Sequence, residues 1–344
     1  MKTVAVSASR NYNVIIGPGL LTQVGTYVRK LGKVQKVCIV SDTNVYPLYG
    51  SVVTENLSQA GFQVSSFVFP AGEAQKNGST YLALLEHLAQ AHLTRTDLIL
   101  ALGGGVVGDL AGFAAATYLR GIPFMQVPTT LLAAVDSSVG GKTAIDLPSG
   151  KNLVGAFYQP GLVLCDIDTL NTLPDDIFRD GCAEVIKYGV LYDPALFETL
   201  MLAGPAFDRE SVIARCVELK RDVVAQDEFD TGARMKLNLG HTIGHGIEAC
   251  SGYCISHGKA VAAGMAIVSR ASHCPDTEKI ITCLEAFGLP TATVYTAEAL
   301  TSCALSDKKR AGGTVNLILP RTIGNCEIVP TPVEELKSFI QEGL

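Results

Sequence analysis

Three of the chain's six histidines fall in one short segment, Leu239-Gly-His241-Thr-Ile-Gly-His245-Gly-Ile-Glu248 followed by Ser256-His257-Gly258. At i and i+4 on a helix, His241 and His245 share one face, an arrangement that suits a divalent metal. Cys250 and Cys254 are also four apart and precede His257, so a closed Cys₂His₂ zinc site is a rival reading. A catalytic site would instead keep a coordination position open and use nitrogen and carboxylate ligands. Imidazoles buried in a core and hydrogen-bonded to backbone carbonyls are the third reading.

A second candidate is Leu98-Ile-Leu-Ala-Leu-Gly103-Gly104-Gly105-Val-Val-Gly108-Asp109, which reads as a strand, a glycine-dense turn and the start of a helix. Gly103, Gly105 and Gly108 fit G-x-G-x-x-G, in which glycines let the backbone approach a pyrophosphate and the helix N–H groups hold it. The pattern comes far from the first strand, and glycines that only permit tight helix-sheet packing would look the same. Asp42 ends the first clear strand, where an acidic side chain binds the adenosine ribose in dinucleotide folds; a helix N-cap is the alternative.

Cations in a charge-poor chain form the third group. Lys142, Lys151, Lys187, Lys220, Arg234, Lys308 and Lys309 stand next to Gly, Asn or polar turns, which suits recognition of phosphate and carboxylate. Taken singly, each also reads as a solvated surface charge. Gly140-Gly141-Lys142-Thr143 has the ending of a P-loop but lacks its first glycine, so a P-loop nucleotidase is rejected.

Composition limits what surrounds these residues. The 344 residues are 48% hydrophobic and 17% charged, which excludes intrinsic disorder and is ample for a large core. A net charge of −6 without charge blocks argues against a nucleic-acid surface, so an anionic ligand must be met by local cations. The first residues lack the pattern of a secretory signal, and the most apolar stretch, 98–116, is broken by glycines and Asp109. A soluble, cytoplasmic protein without membrane contact is expected. Its ten cysteines contain no Cys-x-x-Cys pair and are expected to be reduced and mostly buried.

The elements that must carry these groups alternate in the first half. Strand-like runs at Val37, Val64, Leu98, Phe124 and Val163 are separated by helical patterns such as Ser79 to Ala91, with Tyr81, Leu84, Leu85 and Leu88 on one face. This spacing predicts a mostly parallel sheet covered by helices. From Pro174 onward helical periodicity dominates, including Ser211 to Ala225 and Ile280 to Phe287, with one clear strand at Val315. The expected architecture is an α/β Rossmann-like domain over residues 1–171, a mainly α-helical domain over 172–344, and an active site in the cleft between them.

Taken together, Gly103-Gly-Gly-Val-Val-Gly-Asp109, Gln126-Val-Pro-Thr-Thr-Leu-Leu, Val135-Asp-Ser-Ser-Val-Gly-Gly-Lys-Thr143, Gly150-Lys-Asn, Gly155-Ala-Phe-Tyr-Gln-Pro160, Ala183-Glu-Val-Ile-Lys187, Leu237-Asn-Leu-Gly-His-Thr-Ile-Gly-His245 and Asp307-Lys-Lys309 closely resemble the 3-dehydroquinate synthase family. The resemblance runs in order from the strands near residue 37 to about residue 325. That family is one of sugar-phosphate cyclases related to the iron-type alcohol and glycerol dehydrogenases. The resemblance implies an enzyme of the shikimate pathway that converts 3-deoxy-D-arabino-heptulosonate 7-phosphate to 3-dehydroquinate and phosphate. It implies one NAD, used and regenerated in each turnover, and a divalent metal, zinc or cobalt. Transient oxidation, phosphate β-elimination, reduction and an intramolecular aldol closure are the implied steps.

Residue by residue, the resemblance implies Glu184, His241 and His257 as metal ligands, with His245 facing the substrate. NAD contacts map onto Asp42, Glu73, Lys76, Gly104, Gly105, Asp109, Thr129, Thr130, Asp136 and Lys151. Asp136, Lys142, Lys187, Lys220 and His245 map onto the catalytic positions. Substrate contacts map onto Lys142, Asn152, Lys220, Arg234, Asn238 and His245, with Lys308 or its neighbour Lys309 reaching the phosphate. Arg120 resembles an arginine that reaches the substrate phosphate of a neighbouring subunit, which implies a homodimer. Two departures stand out: Lys259 replaces a usual glutamate two residues after His257, and Asp230 stands where a glutamate is usual. The rival functions are another sugar-phosphate cyclase, a metal- and NAD-dependent polyol dehydrogenase, and a nucleotide-binding module without catalysis. Arg234 and Asn238 favour a carboxylated substrate over the first rival, and the cations tell against the second.

Overall fold

The structure, a computed structural model, describes residues 1–306 and 313–344. The chain forms two compact units, Met1–Leu173 with Arg209–Phe229, and Pro174–Asp208 with Asp230–Leu344. The first unit runs β1 (Lys2–Val6), β2 (Tyr12–Gly17), α1 (Val24–Arg29), β3 (Lys36–Asp42), α2 (Tyr46–Gln59), β4 (Gln63–Phe69), α3 (Gly78–Gln90), β5 (Leu98–Gly103) and α4 (Gly105–Thr117). It continues with β6 (Phe124–Pro128), β7 (Lys142–Leu147), β8 (Gly150–Phe157) and β9 (Leu162–Asp166). Helices α5 (Asp175–Tyr192) and α6 (Pro194–Ala203) open the second unit, and α7 (Arg209–Gln226) returns to the first.

Strand β5 shows why the first unit is a covered sheet. All of Leu98-Ile-Leu-Ala-Leu-Gly is buried, the continuous apolar run of a strand with helices on both faces. Because side chains alternate along a strand, Leu98, Leu100 and Leu102 pack with Val24, Val28, Val53 and Leu57 of α1 and α2. Ile99 and Ala101 pack on the other face with Leu84, Leu88, Val107, Leu110 and Ala114 of α3 and α4. Each such leucine contributes about 1.5–3 kcal/mol on burial.

The sheet order is β1-β2-β9-β6-β5-β3-β4, parallel throughout except for β1 against β2. From β3 the chain moves out to β4, then returns to β5 on the other side of β3. The strand order therefore reverses between β3 and β5, which is where open α/β sheets bind ligands at the strands' carboxyl ends. Asp42 ends β3 and Gly103 ends β5, so both sequence candidates stand at this crevice.

In the second unit, α5 and α6 are joined by α8 (His241–Cys250), α9 (His257–Ala271), α10 (Thr277–Ala286), α11 (Ala297–Ser306) and α12 (Val333–Gly343). An antiparallel hairpin of β10 (Thr314–Thr322) and β11 (Asn325–Pro332) completes it. Helix α9 is buried from Ala260 to Ser269, and its Gly264 lets it touch the start of α8: a Cβ there would lie 2.1 Å from the Gly240 carbonyl. Among the described residues no helix is long and apolar enough to cross a membrane.

The α/β sheet followed by a helical half matches the expected architecture. The sequence division at 171/172 differs from the structure in one segment, because α7 packs on β1, β2 and the turn around Asp136 within the first unit. Helical periodicity shows which face of α7 is apolar but not which body that face meets. Strands β1, β2, β7, β8 and β11 are absent from the sequence reading; β1, β8 and β11 are half-exposed or more, so they leave no continuous apolar run.

Candidate active site

In the first unit, β5 delivers the glycines to the N-terminus of α4. Gly104 is the N-cap in extended conformation, with no side-chain cap. The four glycines divide into two roles. A Cβ on Gly103 would lie 2.5 Å from Val107, and one on Gly108 would lie 2.6 Å from Gln126, so these two permit helix-sheet packing. Side chains on Gly104 or Gly105 would fill the space in front of the helix, 3.0 Å from Thr130 and 3.2 Å from Ser137 respectively. That cradle of backbone N–H groups at a positive helix end suits the pyrophosphate of a dinucleotide. Thr129 continues it, its N–H bonded to the Gly103 carbonyl at 3.0 Å, and the Thr130 hydroxyl accepts from Ala133 N–H at 3.2 Å.

Glu73, Lys76 and Asp109 form one ion cluster beside this turn. Lys76, only 4% exposed, reaches Glu73 at 2.9 Å, Asp109 at 3.1 Å and Asp146 of β7 at 3.9 Å. Burial would lower the Lys76 ammonium, but the carboxylates of Asp109 and Glu73 raise it. Burial pushes Asp109 up to about 6 against the pull of Lys76. Asp146 has no sequence signal because β7 is distant in the chain. Asp42 Oδ1 accepts from Asn44 and Val45 N–H at 2.8 and 2.9 Å, which closes the turn after β3; the N-cap of α2 is Val45, not Asp42.

Asp136 lies on a single π-turn, Ala133–Ser137, and α7 brings Lys220 to it. Lys220 Nζ is 2.9 Å from Asp136 Oδ1 and 2.7 Å from its carbonyl, and the lysine is buried. Lys142 opens β7 exposed, whereas a P-loop lysine opens a helix. Lys151 and Asn152 start β8, where Asn152 takes a left-handed φ of 57° and its N–H bonds Asp146 at 2.8 Å. Arg120 is exposed on the surface, also with positive φ, at 68°.

The second unit gathers the metal candidates. Glu184 on α5 is fully buried. The Nε2 atoms of His241 and His257 each lie 3.5 Å from its Oε1. Two ligands on a tetrahedral ion at about 2.0–2.1 Å stand about 3.3–3.4 Å apart, so the three groups are spaced as ligands of one ion. Two imidazole nitrogens and one carboxylate suit zinc or cobalt and leave positions open. His241 is keyed through Nδ1, 3.1 Å from the Leu239 carbonyl. Burial and then the charge of Lys187 hold His241 well below its ordinary value. Burial pulls His257 the same way, but Glu184 and Glu248 prevail and raise it to about 10. Lys187, itself buried, pairs with Glu184 one turn away.

Asp180, one turn before Glu184, docks α9 onto α5. Its Oδ1 accepts from Ser256 Oγ at 2.5 Å and from Lys259 N–H at 3.0 Å, capping the helix that His257 opens. Gly258 permits this approach, since a Cβ there would lie 1.9 Å from the Asp180 carbonyl. The side chain of Lys259 lines an apolar cavity of about 300 Å³ with Ile247, Ile255 and Val294.

His245 is exposed on α8, its ring 5.5 Å from that of His241. Arg234 is buried and Asn238 exposed on the turn that precedes α8. Lys308, with Lys309, lies outside the described residues. The Cys₂His₂ reading fails on placement, because Cys250 meets Cys303 of α11 at 2.7 Å while Cys254 is exposed. Among the described residues, the clusters able to hold a metal are Glu184 with His241 and His257, and His245 with Glu248 and His257. The sequence reading assigned Glu248 and Asp180 no role, although Glu248 stands at i+3 and i+7 from the helix histidines.

Known proteins are similar to this chain in sequence and fold. The 3-dehydroquinate synthase N-terminal family model matches residues 66–180, and the C-terminal family model matches residues 181–310. A 3-dehydroquinate synthase from Pelobacter propionicus is 47% identical over 98% of each chain. Among solved structures, 2-deoxy-scyllo-inosose synthase complexed with carbaglucose-6-phosphate, NAD⁺ and Co²⁺ superposes with a TM-score of 0.90 at 27% identity, covering 100% of both chains. The 2-epi-5-epi-valiolone synthase of Streptomyces hygroscopicus subsp. jinggangensis, with NAD⁺ and Zn²⁺ bound, gives 0.88 at 25% identity over 99% of this chain and 98% of its own. With both family models matched in order and a relative this similar from end to end, the chain belongs to the 3-dehydroquinate synthase family.

Proposed function

We propose that this protein is a 3-dehydroquinate synthase that converts 3-deoxy-D-arabino-heptulosonate 7-phosphate to 3-dehydroquinate and phosphate, with NAD and zinc or cobalt as cofactors. The observation that carries the reading is the convergence of Glu184, His241 and His257 in a chain of this family. When bound, NAD would supply reversible hydride transfer and a divalent ion would supply polarisation of substrate oxygens.

The chain's own residues divide the remaining work. Gly104, Gly105, Thr129 and Thr130 receive the pyrophosphate, and Asp42 faces the adenosine end at the switch point. Glu73, Lys76 and Asp109 hold the loop before α3 against α4, so the cradle is rigid before the dinucleotide arrives. Lys151 and Asp136 serve the nicotinamide end. Glu184, His241 and His257 hold the ion. Lys142, Asn152, Lys220, Arg234, Asn238 and Lys308 bind the substrate's phosphate and carboxylate, charges that the net −6 of the chain would otherwise repel. His245, exposed beside His241, holds or passes a proton, and Lys187 is placed to neutralise charge next to Glu184. The departing phosphate is itself basic enough to take the proton in the elimination, so no strong protein base is required.

Arg120, carried on the surface, supports a homodimer in which it reaches the neighbouring subunit's phosphate, and a sedimentation experiment should give twice the chain mass. The reduced cysteines are consistent with a cytoplasmic enzyme without nucleic-acid or membrane partners. A different sugar-phosphate cyclase is the second reading, favoured by the solved cyclase structures at 25–27% identity.

The test is phosphate release from 3-deoxy-D-arabino-heptulosonate 7-phosphate with catalytic NAD⁺ and zinc or cobalt, while absorbance reports NADH. Stoichiometric phosphate and 3-dehydroquinate without net NADH is the expected outcome. No release from this substrate, with release from a different sugar phosphate, would favour the second reading.

A further inference from the structure

The metal reading uses one nitrogen of His257, the Nε2 that lies 3.5 Å from Glu184. Its other nitrogen, Nδ1, lies 3.5 Å from Oε2 of Glu248 on α8. Glu248 is 4% exposed, and the proposed reaction makes no use of it. A carboxylate taken out of water is costly unless it is paired, so the placement of its Oε2 beside the second nitrogen of a metal-candidate imidazole calls for a physical reason. His241 supplies the pattern, since the Leu239 carbonyl at its Nδ1 fixes the ring so that Nε2 faces Glu184. His257 opens α9 just after a loop, and its ring meets a carboxylate where His241 meets a carbonyl. A shift of roughly 0.6–0.8 Å would bring the pair to the roughly 2.7–2.9 Å of a charge-assisted hydrogen bond.

We propose that Glu248 is a positioning residue of the metal centre: it accepts the Nδ1–H of His257, fixes the tautomer that offers Nε2 to the ion, and makes that nitrogen a stronger donor. The inference rests on Glu184, His241 and His257 being the ligands. The rival role for Glu248 is as a ligand of a second ion with His245 and Nδ1 of His257, whose donor atoms lie within 4.8 Å of one another. That arrangement would strip both protons from the His257 ring, whereas the positioning role leaves Nδ1 protonated.

Zinc affinity of the wild type and of Glu248→Gln, Glu248→Ala and His257→Ala is measured by competition with a chromophoric chelator, with NAD⁺ affinity and thermal midpoint in parallel. The wild type should bind one zinc per chain and Glu248→Ala should bind it about 10–100-fold more weakly. Glu248→Gln, whose amide oxygen still accepts the Nδ1–H, should lose less, and NAD⁺ affinity should not change. In the zinc-loaded wild type the ¹⁵N resonance of His257 Nδ1 should be that of a protonated, hydrogen-bonded nitrogen, and it should move in Glu248→Gln. Wild-type zinc affinity in His257→Ala would remove the ligand reading and this proposal with it. Loss of zinc in His257→Ala alongside wild-type affinity in Glu248→Ala would overturn the positioning role alone. Two zinc ions per wild-type chain, with one lost and the other undiminished in Glu248→Ala, would make Glu248 a ligand and overturn it as well. Should Glu248→Ala not fold, the nearly isosteric Glu248→Gln decides: weaker zinc binding at an unchanged thermal midpoint supports the proposal, and wild-type affinity with an unmoved resonance overturns it.

Discussion

At the scale of single residues, Glu184 and Asp97 show two uses of a buried carboxylate. Glu184 is pressed between two imidazoles and Lys187, the cluster proposed to hold the metal ion. Glu184→Gln keeps the volume but removes the anionic ligand. Zinc affinity should fall by more than about 100-fold, beyond what loss of an outer-shell partner costs, and turnover should fall with it; chelator competition and phosphate release check this. Asp97 serves stability. It accepts from Gln35, Lys36 and Thr94 N–H at 3.2, 2.8 and 2.7 Å, tying the start of β3 to the turn before β5. Burial would raise its carboxyl, but these hydrogen bonds outweigh it and hold the group below its ordinary value. A depressed folded value gives stability that is fully present above the unfolded value near 3.9 and lost as pH falls through the folded one. Asp97→Asn should cost about 1–3 kcal/mol at neutral pH, measured by urea unfolding, and the gap to wild type should narrow below about pH 4.

Elements set what these residues can reach. The β5–α4 turn combines two glycines packed against Val107 and Gln126 with two, Gly104 and Gly105, that lie close to the Thr130 and Ser137 side chains at the helix end, and the proposed dinucleotide site uses the second pair. Gly104→Val would put branched carbons against Thr130, which already stands 3.0 Å from where a Cβ would be. NAD⁺ affinity should fall about tenfold or more, since overpacking costs about 1–3 kcal/mol, while zinc affinity is unchanged; titration calorimetry separates the two. Helix α9 is positioned by a residue outside itself, because Asp180 caps it and Gly258 allows the backbone contact. Glu184 and Asp180 lie one turn apart on α5, so a single helix face both carries one metal candidate and fixes the helix that carries another. The histidine spacing was legible in the sequence as a helix face. The spacing did not give its partners, since His241 and His245 share a helix face while His241 and His257 face Glu184; that pairing was implied by the family resemblance.

For the whole molecule, α7 is the informative element. It belongs to the first unit although both helices before it and the turn after it belong to the second. Its Lys220 meets Asp136, far away in sequence, so this ion pair exists only because the chain leaves the first unit and returns to it. Contact with β1 and β2 predicts that α7 opens with them. In native-state hydrogen exchange under mild denaturant, the α7 amides should lose protection with the denaturant dependence of β2, not with that of α8.

The sequence by itself determined the elements with strong periodicity, among them β3 to β6, β9, α3 and the helical second half, because burial on both faces or on one stripe leaves a pattern in the chain. It also determined the residue types of both sites, through the glycines before Asp109 and the histidines after Leu239, and blocks of polar residues long enough to carry a family resemblance. Tertiary structure decided which candidates meet. It put α7 with the first unit, set Asp146 beside Lys76, brought His257 to Glu184 as the resemblance but not the spacing implied, and placed Cys250 against Cys303 instead of Cys254. The physical reason is common to all four: periodicity records which side of an element avoids water, whereas the partner on that side is fixed by packing among segments distant in the chain.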